Sequence, residues 1–257
     1  MTRPHDGSIV HALWRFPVKS MGGERVERAL LTTHGLVGDR GYALREQATG
    51  KVVTAKNSAD FPDLMRCRAR FLRPLEAVGD LPPVEIELAD GSRVRSDSGT
   101  ADEALSAYFG RTVRLERAQT GAGFFDLDPL TLLTRATLAR LAALQPGSAF
   151  DERRFRMNVT VDSPERGFVE NDWVGRRVTI GPSARVRVTQ PDSRCVMTTL
   201  AVDELPRDAE VMRAVATHNT IQAGSRGMRP CAGVYAVVER PGEVAIGDRV
   251  ELDERAA

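Results

Sequence analysis

The chain has 257 residues, 42% hydrophobic and 28% charged, and its 36 basic residues meet 35 acidic ones for a formal net charge of +1. Such a balance describes a globular protein of one or two domains and excludes disordered, collagenous and coiled-coil chains. It leaves no cationic surplus to follow a phosphate backbone, so no nucleic-acid partner is expected.

The first ten residues, with Arg3, Pro4, His5 and Asp6, hold no apolar leader, and no later run is long and apolar enough to span a bilayer. A cytoplasmic protein with no membrane association is expected. Short alternating segments punctuated by Gly, Pro, Asp and Asn then dominate, the pattern of β-structure. Residues 8–16 (SIVHALWRF) predict a strand stopped by Pro17, and residues 25–33 (RVERALLTT) a second one ending at His34-Gly35. Residues 42–46 and 51–55 flank QATG and predict a hairpin with Gly50 at positive φ. VEIELAD and SRVRS flank Asp90-Gly91, the dipeptide of a type I′ hairpin turn. The period then changes: residues 100–109 (TADEALSAYF) predict a helix with Thr100 as N-cap, early acids and Gly110 as its stop.

After the strand TVRLER, the weakly patterned QTGAG, residues 119–123, predicts a domain boundary. Beyond it come the strand PLTLLT, a helix over residues 135–144, the strands FRMNVTV, RRVTIG and ARVRVTQ, a helix over 207–218, and the strands AGVYAVVE and RVELD.

Three of these segments carry chemistry. FPVKS, just past the first strand, places the Lys19 ammonium and Ser20 hydroxyl before two glycines, which suits a phosphate-like anion or a solvated turn. GLVGDR sets Arg40 to fork onto phosphate or carboxylate while Asp39 orients it, or forms a surface ion pair. QPDSRC puts Cys195 after Ser193 and Arg194 at a strand end, where a thiolate serves as nucleophile or soft-metal ligand; a buried lone thiol is the bland alternative. Cys67 and Cys231 lack a comparable polar setting and read as buried thiols, and the odd, scattered set of three supports neither a disulfide framework nor a zinc site. In RRFRMNV, Arg154, Arg156 and Asn158 fall on one face of a predicted strand. In ENDW, Trp173 reads as core and Asp172 as a turn residue. Only three of the 36 basic residues are lysines, Lys19, Lys51 and Lys56, which makes each lysine more informative than each arginine.

In this order, FPVKS, GLVGDR, FRMN, ENDW before VTIG, SRC, CAGVY and the terminal VAIGDRVEL resemble the MOSC family. The family is named for the C-terminal domain of molybdenum cofactor sulfurase, and its members with an N-terminal MOSC-type β-barrel include the mitochondrial amidoxime-reducing component. The resemblance implies a mainly β protein with a few helices (α+β). A smaller MOSC N-terminal barrel-like domain would fill residues 1–118 and a MOSC β-barrel residues 119–257. It further implies a molybdenum cofactor, a pterin whose dithiolene holds the metal, with Cys195 as the thiolate ligand and catalytic residue. Lys19, Ser20 and Arg40 would hold the cofactor's phosphate or pterin, Arg156, Asn158, Ser193 and Arg194 would add polar contacts, and Thr134 stands where relatives carry a small hydroxyl residue.

The implied activity is reduction of N-hydroxylated compounds such as amidoximes, hydroxylamines and N-hydroxylated bases. Three cysteines cannot hold a four-cysteine iron–sulfur cluster, so electrons would come from a separate donor protein, a ferredoxin or cytochrome with its reductase. The alternatives are a sulfur carrier (sulfurtransferase) or cofactor-handling protein using a Cys195 persulfide, including one within a specialised biosynthetic pathway, and a β-barrel interaction module without chemistry. Cys231 stands where many relatives carry phenylalanine, and residues 201–230 match in least detail.

Overall fold

The structure, a computed structural model, describes residues 7–75, 80–119 and 122–253; residues 1–6 and part of the expected boundary, Thr120 and Gly121, lie outside them. The first half contains β1 (Ile9–Arg15), β2 (Glu24–Val26), β3 (Arg28–Thr32), β4 (Gly35–Leu36), β5 (Tyr42–Glu46), β6 (Arg68–Phe71), β7 (Val84–Glu87), β8 (Arg93–Arg95), α1 (Ala101–Phe109) and β9 (Val113–Arg117). The second contains β10 (Leu130–Thr134), α2 (Arg135–Leu144), α3 (Glu152–Phe155), β11 (Val159–Asp162), β12 (Arg177–Ile180), β13 (Ala184–Ser193), α4 (Ala209–His218), β14 (Thr220–Gln222), β15 (Met228–Arg240), β16 (Gly242–Ala245) and β17 (Val250–Leu252). The fold is mainly β, and the three longer helices fall on their expected spans; Gly110 closes α1 in a left-handed conformation as expected, but Thr100 makes no side-chain cap bond.

The largest sheet runs β17-β12-β13-β15-β10-β11-β1-β2, with β14 added beside β15. Only β10 and β11 are parallel, which requires a crossover, and α2 supplies it. Backbone bonds from Val10 N to Asp248 O, 2.8 Å, and from Val250 N to Ser8 O, 2.9 Å, draw the β17 end against the start of β1. Closure of this kind leaves little unpaired edge. Three smaller sheets, β16-β3-β4, β5-β9 and β6-β7-β8, complete the chain.

The first strands therefore belong with the last ones in space. One core joins Val10, Leu13 and Leu31 to Leu132, Trp173, Val186 and Val250. A second gathers Val18, Leu44, Ile86 and Leu105, together with Leu200 from the far half. Residues before 118 serve both cores, so the two halves share a long junction, and the functional pocket opens along it.

Several local expectations change. Tyr42–Glu46 pairs with β9 on one edge, and on the other it forms a short version of the expected hairpin: Glu46 N donates to Lys51 O at 3.0 Å and Val53 N to Leu44 O at 2.8 Å around an antiparallel Arg45–Val52 bridge, with Gly50 at φ 65°. The β7–β8 hairpin forms, but Gly91 alone takes positive φ (86°); Asp90 instead uses its carboxylate to accept from Ser92 N and Oγ, at 2.9 and 2.6 Å. The run 25–33 breaks at Glu27, whose carbonyl accepts from Ile246 N, and splits into β2 and β3.

FRMNVTV begins as α3, not as a strand. Asp151 caps α3 by accepting from Arg153 N, Arg156 closes it in a left-handed conformation, and extended backbone starts only at Val159. Arg154, Arg156 and Asn158 therefore share no strand face. Conversely β13 passes through Pro191 to Ser193, because register shifts on either side place the missing N–H at irregular pairing.

Candidate functional site

A cavity of about 300 Å³ is lined from both halves of the chain, by eight separate segments. Of the residues singled out from sequence, Lys19, Ser20, Arg40, Arg156, Asn158, Ser193, Arg194 and Cys195 all line it. Thr134 does not. It is fully buried at the α2 N-cap, accepting from Thr137 N at 3.2 Å and donating to Glu170 Oε2 at 2.5 Å. Burial pushes the Glu170 carboxyl upward, against the bonds donated by Thr134, Thr137 and the Gly233 amide. This buried acid joins β10, α2 and β15; nothing in ENDW distinguished it from a loop residue.

Three of the lining residues have backbones that L-residues seldom adopt. Ser20 (φ 65°), Arg40 (φ 49°) and Arg156 (φ 56°) are three of the five non-glycine residues at positive φ among those described. Each such conformation costs about 1–2 kcal/mol. Strain held at several points of one cavity marks a site maintained for a purpose other than stability.

The cations are arranged around Phe16. Its ring lies 5.0 Å from the Arg40 guanidinium carbon and 4.3 Å from that of Arg156, which suits cation–π contact on both. Asp39, 2% exposed, accepts from Phe16 N at 2.8 Å and pairs with Arg40, so it does orient that arginine. Arg156, 6% exposed, donates to Met21 O. Burial, then the charge of Arg40, pulls its pKa down to about 9. A guanidinium does not give up its proton readily, so this marks a cation short of negative charge.

Arg194 pairs with the buried Asp192 and donates to Phe155 O at 2.6 Å. Burial raises the Asp192 carboxyl, and the charge of Arg194 offsets it only in part. Asn158 is spent inside the protein: its Oδ1 accepts from Thr131 Oγ1 at 2.9 Å and its Nδ2 donates to Trp14 O at 3.2 Å. It fixes the cavity wall rather than offering a free amide face.

Cys195 follows the end of β13. Arg194 N makes a rung to Pro230 O at 2.8 Å, after which the chain turns into a short 3-10 segment, Val196–Thr199. The Cys195 carbonyl accepts from Thr198 N at 3.1 Å and Thr198 Oγ1 at 3.0 Å, while the half-buried side chain faces the cavity. Cys67 and Cys231 are fully buried, and burial pushes both thiols up to about 11, so they are the inert pair expected from sequence.

Sequence reasoning missed Lys56, Asp126, Asp192, Arg226 and Tyr235, which also line the cavity. Lys19 Nζ donates to Phe124 O at 2.7 Å and to Asp126 Oδ1 at 2.5 Å, and Lys56 Nζ reaches Asp126 Oδ2 at 3.0 Å. Two of the chain's three lysines thus converge on one carboxylate. Burial acts upward on Asp126 but is outweighed by these two ammonium groups, which hold it well below the usual carboxylate range. A depressed carboxyl stabilises the fold above its unfolded pKa of about 4 and loses that contribution as pH falls through the lower folded value. Asp126→Asn is therefore expected to flatten the fall of melting temperature with acidification below about pH 4, measured by thermal scans in a pH series.

Among the described residues no helix is long and apolar enough to cross a membrane. No curated protein matches the chain. Among solved structures, the YUAD protein of Bacillus subtilis is 14% identical with a TM-score of 0.50, over 95% of this chain and 94% of that one, which shows a shared fold. YiiM from Geobacillus stearothermophilus is 20% identical over 50% of this chain and 55% of that one, with a TM-score of 0.35. The MOSC N-terminal beta barrel domain matches residues 7–109 and the MOSC domain residues 122–251, and with both on one chain the protein belongs to the MOSC family.

Proposed function

We propose that the cavity holds a molybdenum cofactor and that the protein reduces N-hydroxylated compounds with electrons from a separate redox protein. The observation that carries this reading is the strained cationic cradle beside a single accessible thiol. Ser20, Arg40 and Arg156 are held left-handed at the cavity wall, and Arg156 Nη2 and Arg194 Nε are buried without a hydrogen-bond partner. Orphaned guanidinium nitrogens in a polar cavity are costly unless a ligand completes them. A phosphorylated pterin offers acceptors of the right charge, and one soft thiolate suits a metal that arrives with dithiolene sulfur. The residues present therefore fit the group.

Cys195 would supply the thiolate to the metal. Lys19, Ser20, Arg40, Arg156 and Arg194 would hold the anionic parts of the cofactor, with Asp39 and Asp192 fixing the two arginine forks. When bound, molybdenum supplies two-electron removal of the nitrogen-bound oxygen. The overall reaction is R–NH–OH + 2 e⁻ + 2 H⁺ → R–NH₂ + H₂O, with the electrons delivered by the donor protein. The chain's own contribution is to bind, orient and shield.

Protein made in a cofactor-competent host should contain about one molybdenum per chain by elemental analysis, as a single thiolate site requires. Metal-free protein from such a host would sink the proposal. The cradle gives a second expectation. Ser20→Gly relieves a left-handed serine and should raise stability by about 0.5–1 kcal/mol in urea unfolding, while molybdenum retention falls through loss of the hydroxyl. A variant that loses stability would contradict the strain argument.

A further inference from the structure

Six cationic side chains line the cavity: Lys19, Arg40, Lys56, Arg156, Arg194 and Arg226. Four are paired with carboxylates in direct contact, Lys19 and Lys56 with Asp126, Arg40 with Asp39, and Arg194 with Asp192. Arg156 lies on the floor against Phe16 and is already assigned to the cofactor. Arg226 is the remaining one, and its partners differ in kind. Its Nη1 donates to Ser193 Oγ at 2.8 Å and its Nη2 reaches Gln190 Oε1 at 3.4 Å, both neutral acceptors, while its Nε is buried with no partner. Among the described residues no carboxylate lies within ion-pair distance of it.

Its position is as informative as its partners. Arg226 ends a short 3-10 turn, Gly224–Arg226, between β14 and β15, and grips Ser193, two residues before Cys195. Its charge acts on Asp192 and Cys231, whereas Lys19 feels Asp126, Arg40 and Lys56. The two cation groups thus serve different parts of the cavity, the lysines at the wall named for the cofactor's phosphate and Arg226 at the wall that carries the thiol. Gln190 and Ser193 fix the guanidinium from one side, a preorganised fork of the geometry that recognises a carboxylate through two parallel bonds. Asp192 does not meet this need, because Arg194 engages it.

We infer that Arg226 is a specificity-determining residue that receives a carboxylate on the substrate, so that the preferred substrates are N-hydroxylated compounds carrying a negative charge. The inference rests on the reductase reading of the same cavity. It places substrate choice within the 201–230 region, which resembles the family least, while the cofactor's contacts come from the segments that resemble it most.

The test uses the purified, cofactor-loaded protein and two kinds of probe, neutral benzamidoxime and its 3- and 4-carboxylate derivatives, titrated calorimetrically alongside molybdenum analysis. The wild-type protein should bind one of the acids at least about tenfold more tightly than the neutral parent, the value of a charge-assisted fork. In Arg226→Gln that ratio should fall to about one with molybdenum content retained, and Arg226→Lys, with its point charge, should keep part of it. A wild-type protein without preference for either acid overturns the inference. So does an Arg226→Gln protein that loses its molybdenum, which would assign Arg226 to the cofactor. Absence of molybdenum from the wild-type protein instead overturns the reductase reading, so the two failures separate.

Discussion

Cys195→Ala is expected to take molybdenum content from about one per chain to background, and N-reductase activity with it, while the protein stays folded. The local structure makes this a clean substitution. The turn after β13 is built by backbone: Arg194 N bonds Pro230 O, and the Cys195 carbonyl receives Thr198 N and Oγ1. The thiol makes no bond on which that turn depends, so alanine should preserve it and shift stability by no more than about 0.5 kcal/mol. Loss of metal in a protein that melts like the wild type would then report on the sulfur alone. Full molybdenum and full activity in the variant would end the assignment. A labile sulfur adduct on Cys195 in metal-free wild-type protein, seen by mass spectrometry, would favour a persulfide carrier instead. Buried Cys67 and Cys231 provide internal controls, because burial keeps both thiols protonated and unreactive at neutral pH.

Much of this cavity was visible in the sequence because its residues sit where the chain is punctuated. FPVKS, GLVGDR and QPDSRC each follow or precede a strand and contain the glycine or proline that ends it. Such positions at strand ends are where a barrel presents polar groups. The lysine count also carried information, since Lys19 and Lys56 meet at Asp126. Asp126 itself was not legible, because a carboxylate in the unpatterned FFDLD acquires its role only from partners 107 and 70 residues away. Arg226 was missed for a similar reason: its acceptors on β13 precede it by 33 and 36 residues.

The fold shows the same limit. Alternation found most strands but not their partners, and nothing local says that β3 pairs with β16 or that β1 enters the sheet of the second half. RRFRMNV was misread because a four-residue helix and a strand both place alternate polar residues in so short a window. The left-handed Arg156 that separates them is a backbone state that arginine does not advertise.

Arg154 shows what that misreading hid, and it carries the second large expectation. It is 1% exposed and is not among the residues that line the cavity. Its guanidinium donates from Nε to Ala149 O at 3.0 Å, from Nη1 to Leu200 O at 3.0 Å and from Nη2 to Pro206 O at 2.7 Å. One side chain thereby ties α3 to the segment between Cys195 and α4, including the Leu200 that enters the second core. Burial pulls its pKa down, yet the three carbonyls face positive charge well, and the planar fork matches their spread in a way that an ammonium cannot. Arg154→Met fills most of the volume but strands three carbonyls that each received a charge-assisted bond. At about 1.5–3 kcal/mol per bond, with incomplete additivity and some relaxation, the net loss should be about 3–5 kcal/mol. Urea unfolding at an unchanged m-value would measure it, and Arg154→Lys should fall between the two. A methionine variant within about 1 kcal/mol of the wild type would mean that water replaces the guanidinium at all three carbonyls, and Arg154 would then not be what holds the Cys195 wall against α3.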